Sequence, residues 1–230
     1  MWFIDPVIDS ALDSSLDTAL GSAFDPTSPG GGRSTSSAPR AFTPSVRWGI
    51  GVDAEDFHLS PTASSDRFSF HLLRDPSPLM ADYWDLRSAI FCEEQNLFEQ
   101  HDRDQHDRHA YPIAAISHGT LLAGRVVGVV RILETTPGLW FGGRLGVHAN
   151  FRRYNQIGKG LIWKAVTTAH GWGCQRFQAH VQVQNVRFFE RLHWQSIEAI
   201  EIRGVGHHLM EADLAYYEPA YGRRPAQLAA

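Results

Sequence analysis

Residues 151–170 read "FRRYNQIGKGLIWKAVTTAH" and set two glycines, Gly158 and Gly160, where a helical pattern begins. Ile157, Leu161, Ile162, Ala165, Val166 and Ala169 recur at helical spacing, so the pattern predicts a helix over 157–170 with one apolar face. Glycine is among the poorest helix formers, which points to a demand on the backbone other than helix stability. In a glycine-rich first turn after a strand, the free N–H groups and the helix dipole converge on an anion. Phosphate is the usual guest, because no Cβ holds its oxygens away. A C-cap or a tight packing contact is the alternative explanation for such glycines. A P-loop needs glycine at Arg153 and Ser or Thr at Gly160, and a dinucleotide fingerprint needs glycine at Trp163, so both motifs fail.

Upstream, Phe68, Phe70 and Leu72 alternate as on a half-buried strand. Tyr83, Leu86, Ile90 and Phe91 then give a helix within 79–98 that ends near Glu93, Glu94 and Gln95. Two strand-like runs follow at 111–118 and 124–134, and Pro137-Gly138 turns into a third at 139–149. Beyond the glycine-rich helix, 176–184 alternates again, 185–194 is a short helix, and 195–204 with 207–217 closes as a hairpin. The order is strand, helix, three strands, helix, strand, helix, two strands. An α+β fold follows, its mixed sheet largely antiparallel and flanked by helices.

The 230 residues carry a net charge of -4 and 43% apolar residues, enough for a core and too little positive charge to suggest nucleic acid or an anionic membrane as partner. Two cysteines, Cys92 and Cys174, make no disulfide framework, and the expected compartment is the cytoplasm. No apolar run is long enough to span a membrane, and the first residues bear aspartates where a secretory signal bears Lys or Arg. Residues 1–65 read as a disordered low-complexity extension, rich in Ser, Pro, Gly, Thr and Ala from Asp25 onward. Within it Ile8, Leu12, Leu16 and Leu20 recur every fourth residue, which fits a short helix formed on a partner or chance spacing in a frayed tail. The ordered domain is expected over 66–220, with 221–230 as a tail.

Two motifs carry a resemblance to a known family: "RLGVHANFRRYNQIGKGLIWKAV" (144–166), then "FQAHVQVQNVRFFERLHW" (177–194). In this order they resemble the GNAT superfamily of acyl-CoA-dependent N-acyltransferases. The resemblance implies that acetyl-CoA or another acyl-CoA is the co-substrate, its pyrophosphate cradled by the amides of Asn155, Gln156, Ile157, Gly158, Lys159 and Gly160. Asn155 stands where the family has Arg or Gln. Arg152 and Arg153 lie beside the cradle, as phosphate partners or as a solvated basic turn. "FERLHW" resembles a second family motif, preceded by Asn185 in "VQVQN", and its thiolate-protonating tyrosine falls at Phe189, which has no proton to give; Tyr154 is a substitute if its loop folds back. "LRSAIFCEEQ" with Asp102, Asp104, Asp107 and Arg144 is similar to acyl-homoserine-lactone synthases, which share the fold. The nearest branch by resemblance is the nitrogen-starvation N-acetyltransferase group.

The implied reaction is direct transfer to a small-molecule amine in a ternary complex, with a homodimer allowed. An amine must lose its proton before attack, which makes Glu94, Asp104, Asp107 and His148 the candidate proton acceptors. Asp104 and Asp107 also suit gripping a cationic amine or pairing with Arg144. A backbone N–H near Gly146 or Val147 is expected to meet the oxyanion. Neither cysteine is placed as a nucleophile. His101, His106 and His109, with His207 and His208 further on, lack helical His pairs or Cys-x-x-Cys, so no metal is expected. A synthase using a longer acyl donor and a non-catalytic coenzyme A-binding module are the alternatives.

Overall fold

The structure is a computed structural model and describes residues 67–74, 76–118, 122–202 and 204–225. The expected N-terminal extension and its Ile8-to-Leu20 pattern lie outside the described residues. Seven strands form one sheet: β1 (Phe68–Leu72), β2 (Tyr111–Ser117), β3 (Val126–Thr136), β4 (Leu139–Val147), β5 (Arg176–Gln182), β6 (Trp194–Ile202) and β7 (Val205–Ala212). They lie in the order β1-β2-β3-β4-β5-β7-β6, and every neighbouring pair is antiparallel except β4 with β5. Helices α1 (Pro78–Ser88), α2 (Asn155–Gly171) and α3 (Val186–Glu190) complete the order read from the sequence.

Each helix forms for local reasons and is held by one face. Ser77 caps α1 by accepting the Leu79 N–H, and Pro78 occupies the first turn, where a missing N–H costs nothing. Its last turn widens into a π-helical segment, Ala89–Glu94, stopped at Asn96 in the left-handed region (φ 50°). Tyr83, Leu86, Ile90 and Phe91 pack with Ala114, Val126 and Val129 on one face of the sheet. On the other face Ile157, Leu161, Ile162, Ala165, Val166 and Ala169 of α2 are all buried, the same six that the periodicity singles out. Each large aliphatic among them contributes roughly 1.5–3 kcal/mol on burial. Ala114 and Ala115 belong to opposite cores, as the alternation of a strand requires.

Candidate active site

The parallel pair opens the sheet. β4 and β5 pair only through Leu139↔Arg176, Trp140↔Phe177 and Phe141↔Gln178, and beyond Phe141 the two strands part. β4 then carries a bulge: Val129 faces Gly146 while Arg131 faces Gly143, so β4 has one residue too many, and Arg144 takes φ 53°. At the end of the strand, the His148 N–H donates to Val127 O on β3 at 3.0 Å. Successive strand N–H groups point to opposite edges, so the Val147 N–H faces the edge that β5 has left and the Gly146 N–H faces β3. Of the two oxyanion donors considered from sequence, Val147 has the orientation. Gly146 serves the packing instead: a Cβ there would lie 2.8 Å from Ile90 Cδ1.

The two glycines of α2 separate in the same way. A Cβ on Gly160 would lie 2.1 Å from the ring of Phe70, so strand β1 packs onto that glycine. A Cβ on Gly158 would meet only Phe188 Cζ, at 3.9 Å, an ordinary contact. Packing accounts for Gly160, whereas Gly158 is buried yet has room for a Cβ. The first turn of α2 has no side-chain cap from Tyr154; the Ile157 N–H donates to Tyr154 O at 3.1 Å, which leaves the Asn155 and Gln156 amides at the helix start, where an anionic phosphate group fits. The exposed Asn155 and Gln156 begin this turn, Ile157 faces the core, and Lys159 is half-buried.

Arg152 links this helix start to the strand end. Its Nε donates to Val147 O at 3.0 Å and its Nη2 pairs with Glu94, bringing the end of the π-helical segment beside β4. Arg153 lies over the ring of Tyr154 (4.9 Å) and donates to its hydroxyl at 3.0 Å. Tyr154 packs on Phe68 and Phe151, at ring distances of 5.7 and 6.2 Å. The His148 Nδ1 accepts the Asn150 N–H, and its ring meets Phe151 edge-on. Asn185 is buried at the end of the short 3-10 turn Val183–Asn185, after β5. Phe189 sits in the core against Phe188 and, at 5.1 Å, Trp194.

The acidic triplet is engaged elsewhere. Arg87 Nε reaches Asp102 Oδ2 at 2.6 Å, and its Nη1 and Nη2 clasp Asp107 at 2.6 and 3.0 Å. Arg131 holds Asp104 through two bonds of 2.6 Å, and Arg144 adds Asp104 Oδ2 at 3.0 Å and Asp102 Oδ2 at 3.1 Å. Arg87, Arg131, Arg144 and Asp102 are at most 3% exposed. Burial opposes charge on Asp104 and Asp107, yet hydrogen bonds from Arg131 and Arg87 outweigh it and hold both carboxyls below the ordinary range. Carboxylates so held are poor proton acceptors; Asp104 pairs with Arg144 as one of the two expectations had it, whereas Asp107 pairs with Arg87 and, at 2.8 Å, with Arg131 instead. Burial, then the fields of Arg131 and Arg87, bring Arg144 down to about 10.

Several participants escape a reading of the sequence. Arg87 and Arg131 complete the ion cluster, and a lone arginine inside the apolar run "VVGVVRIL" is the signal that marks one of them. His180 on β5 lies two residues past the last β4–β5 pair, against Phe141 at 5.7 Å; burial and then His207 bring it down to about 4, so it is neutral near pH 7. No group of three or more metal-ligating side chains occurs among the described residues, and no described helix is long and apolar enough to cross a membrane.

A sheet parting between two parallel strands, with an uncapped glycine-bearing helix start beside the gap, defines a GNAT-type acyltransferase fold. The sequence model of the Acetyltransferase (GNAT) family matches residues 77–194, and the chain belongs to that family. Its structure is similar to a candidate N-acetyltransferase from Lactobacillus plantarum (TM-score 0.55, 18% identity, 64% of this chain and 98% of that one). It is also similar to ElaA of Escherichia coli (TM-score 0.53, 22% identity, 64% and 98%). TofI, solved in a ternary complex with an inhibitor and MTA, superposes at TM-score 0.52 with 16% identity over 67% of this chain and 97% of its own. No curated protein matches the sequence.

Proposed function

We propose that the chain is an acyl-CoA-dependent N-acyltransferase that moves an acetyl group from acetyl-CoA to the amine of a small molecule by direct attack, in the cytoplasm. One observation carries this reading: Gly158 opens the start of α2 with no packing reason to be glycine, beside the β4 edge left by β5. In it the helix start from Asn155 to Gly160 holds the diphosphate, with the Asn155 and Gln156 amides as its backbone donors, and Lys159 with Arg153 adds positive charge. The Val147 N–H meets the oxyanion, and Glu94, tethered through Arg152, faces the incoming amine as proton acceptor. Asp104, Asp107 and Arg144 then hold the loop before β2 against the bulge of β4 and shape the acceptor side. His148, Asn185 and Phe189 border the site as supports. Residues 66–220 form the acyltransferase unit, preceded by the 1–65 extension and followed by a tail.

The ion cluster around Arg144 supports a second reading, a synthase with a longer acyl donor. A thiol-release screen of amines with acetyl-CoA and with a long-chain acyl-CoA separates the two. Release with acetyl-CoA, lost in Glu94→Gln with donor affinity kept, supports the first; release only with the long chain supports the second. Binding of both donors without release on any amine counts against transfer and favours a coenzyme A-binding module.

A further inference from the structure

At the end of β4 opposite Val147, three aromatic rings stand together. Tyr111 opens β2, Trp140 is the second residue of β4 and Trp172 caps α2. Ring centroids are 4.8 Å apart for Tyr111 and Trp172, 5.8 Å for Trp140 and Trp172, and 6.0 Å for Tyr111 and Trp140. The guanidinium carbon of Arg224 lies 4.7 Å from the Trp140 centroid and 5.4 Å from that of Tyr111. Its Nε donates to the Tyr111 hydroxyl at 2.8 Å, and its Nη1 pairs with the Glu134 carboxylate. The segment bearing it is laid closely over α2: the Ala220 N–H donates to Thr167 O at 2.9 Å and Trp172 Nε1 to Gly222 O at 3.2 Å. A Cβ on Gly171 would come within 2.0 Å of Ala220 O.

These groups are the parts of a cation site: π faces to take the charge, a carboxylate to neutralise it and a hydroxyl to fix its plane. The buried Trp140 Nε1 has no acceptor among the described residues, so a further polar group on a ligand would find a donor there. We infer that Tyr111, Trp140 and Glu134, with Trp172 packed behind the two rings, form a guanidinium-binding cage, filled in cis by Arg224 and open to a free guanidinium compound once that side chain is removed. The planar guanidinium reaches both ring faces, the Tyr111 hydroxyl and the Glu134 carboxylate at once, whereas a compact ammonium spans fewer of these groups.

The test is chemical rescue in the full chain. Arg224→Ala, titrated with methylguanidinium, is expected to show a saturable change in tryptophan fluorescence and a rise in Tm, with a Kd of about 1–10 mM for so small a cation. Wild type is expected to show neither, methylammonium to act at least tenfold more weakly, and Glu134→Gln added to the variant to weaken rescue about tenfold. Arg224→Gln serves the same titration if the alanine variant does not fold. No saturable response in either variant, an equal response in wild type, or equal potency of methylammonium would overturn the assignment. None of these readings depends on acyl transfer.

Discussion

Gly158 and Gly160 are two residues apart on α2 and answer to different demands, which makes them separable by mutation. Gly160→Ala drives a methyl into the Phe70 ring, and overpacking of this kind costs roughly 1–3 kcal/mol. Thermal unfolding should show a lowered Tm, partly restored by trimming Phe70 to Leu. Gly158→Ala meets no such obstacle and gains helix propensity of about 1 kcal/mol, so its Tm should stay level or rise. The sequence shows both glycines but not which neighbour reaches each, because Phe70 lies 90 positions away along the chain. The cysteines behave as the sequence implies: both are buried, and burial pushes the Cys174 thiol up to about 12. Alkylation of native protein by iodoacetamide at pH 8 should leave Cys174 unlabelled until denaturant is added.

At the scale of elements, the bulge in β4 carries Arg144 into the ion cluster, and α1 and β3 supply Arg87 and Arg131. A left-handed Arg144 is strained for a non-glycine residue, and its ties to Asp102 and Asp104 hold it there. Removing one partner leaves the others buried and uncompensated, so Asp102→Ala should cost roughly 3–5 kcal/mol in denaturant melts. Because folding lowers Asp104 and Asp107 from an ordinary 3.8, their contribution is fully present above that pH and declines as pH falls through the lower folded values. Stability curves should therefore lose this share only below about pH 4, and Arg87→Met together with Arg131→Met should flatten that acid limb. The aspartates are conspicuous in "HDRDQHDRHA", but their partners come from a helix and two strands that only the fold assembles. Local spacing reports a residue's face and says nothing about which charges meet across elements.

For the whole molecule, the order of helices and strands was legible from periodicity because each element buries one face and its pattern is local. Less legible was the placement of β7 between β5 and β6, and the point at which β4 and β5 part. Both depend on pairing between distant segments and on a one-residue bulge, features that no alternation of apolar residues encodes. The parting matters most, since it exposes one edge of β4 beside the start of α2. In the proposed function this start holds the diphosphate of an acyl-CoA. Calorimetric titration with acetyl-CoA of wild type, Gly158→Ala and Gly160→Ala tests it most directly. Saturable binding to wild type is expected, with about tenfold weaker binding to Gly158→Ala at intact Tm and a smaller loss for folded Gly160→Ala. Wild-type affinity in Gly158→Ala, or no binding to wild type at all, would contradict it.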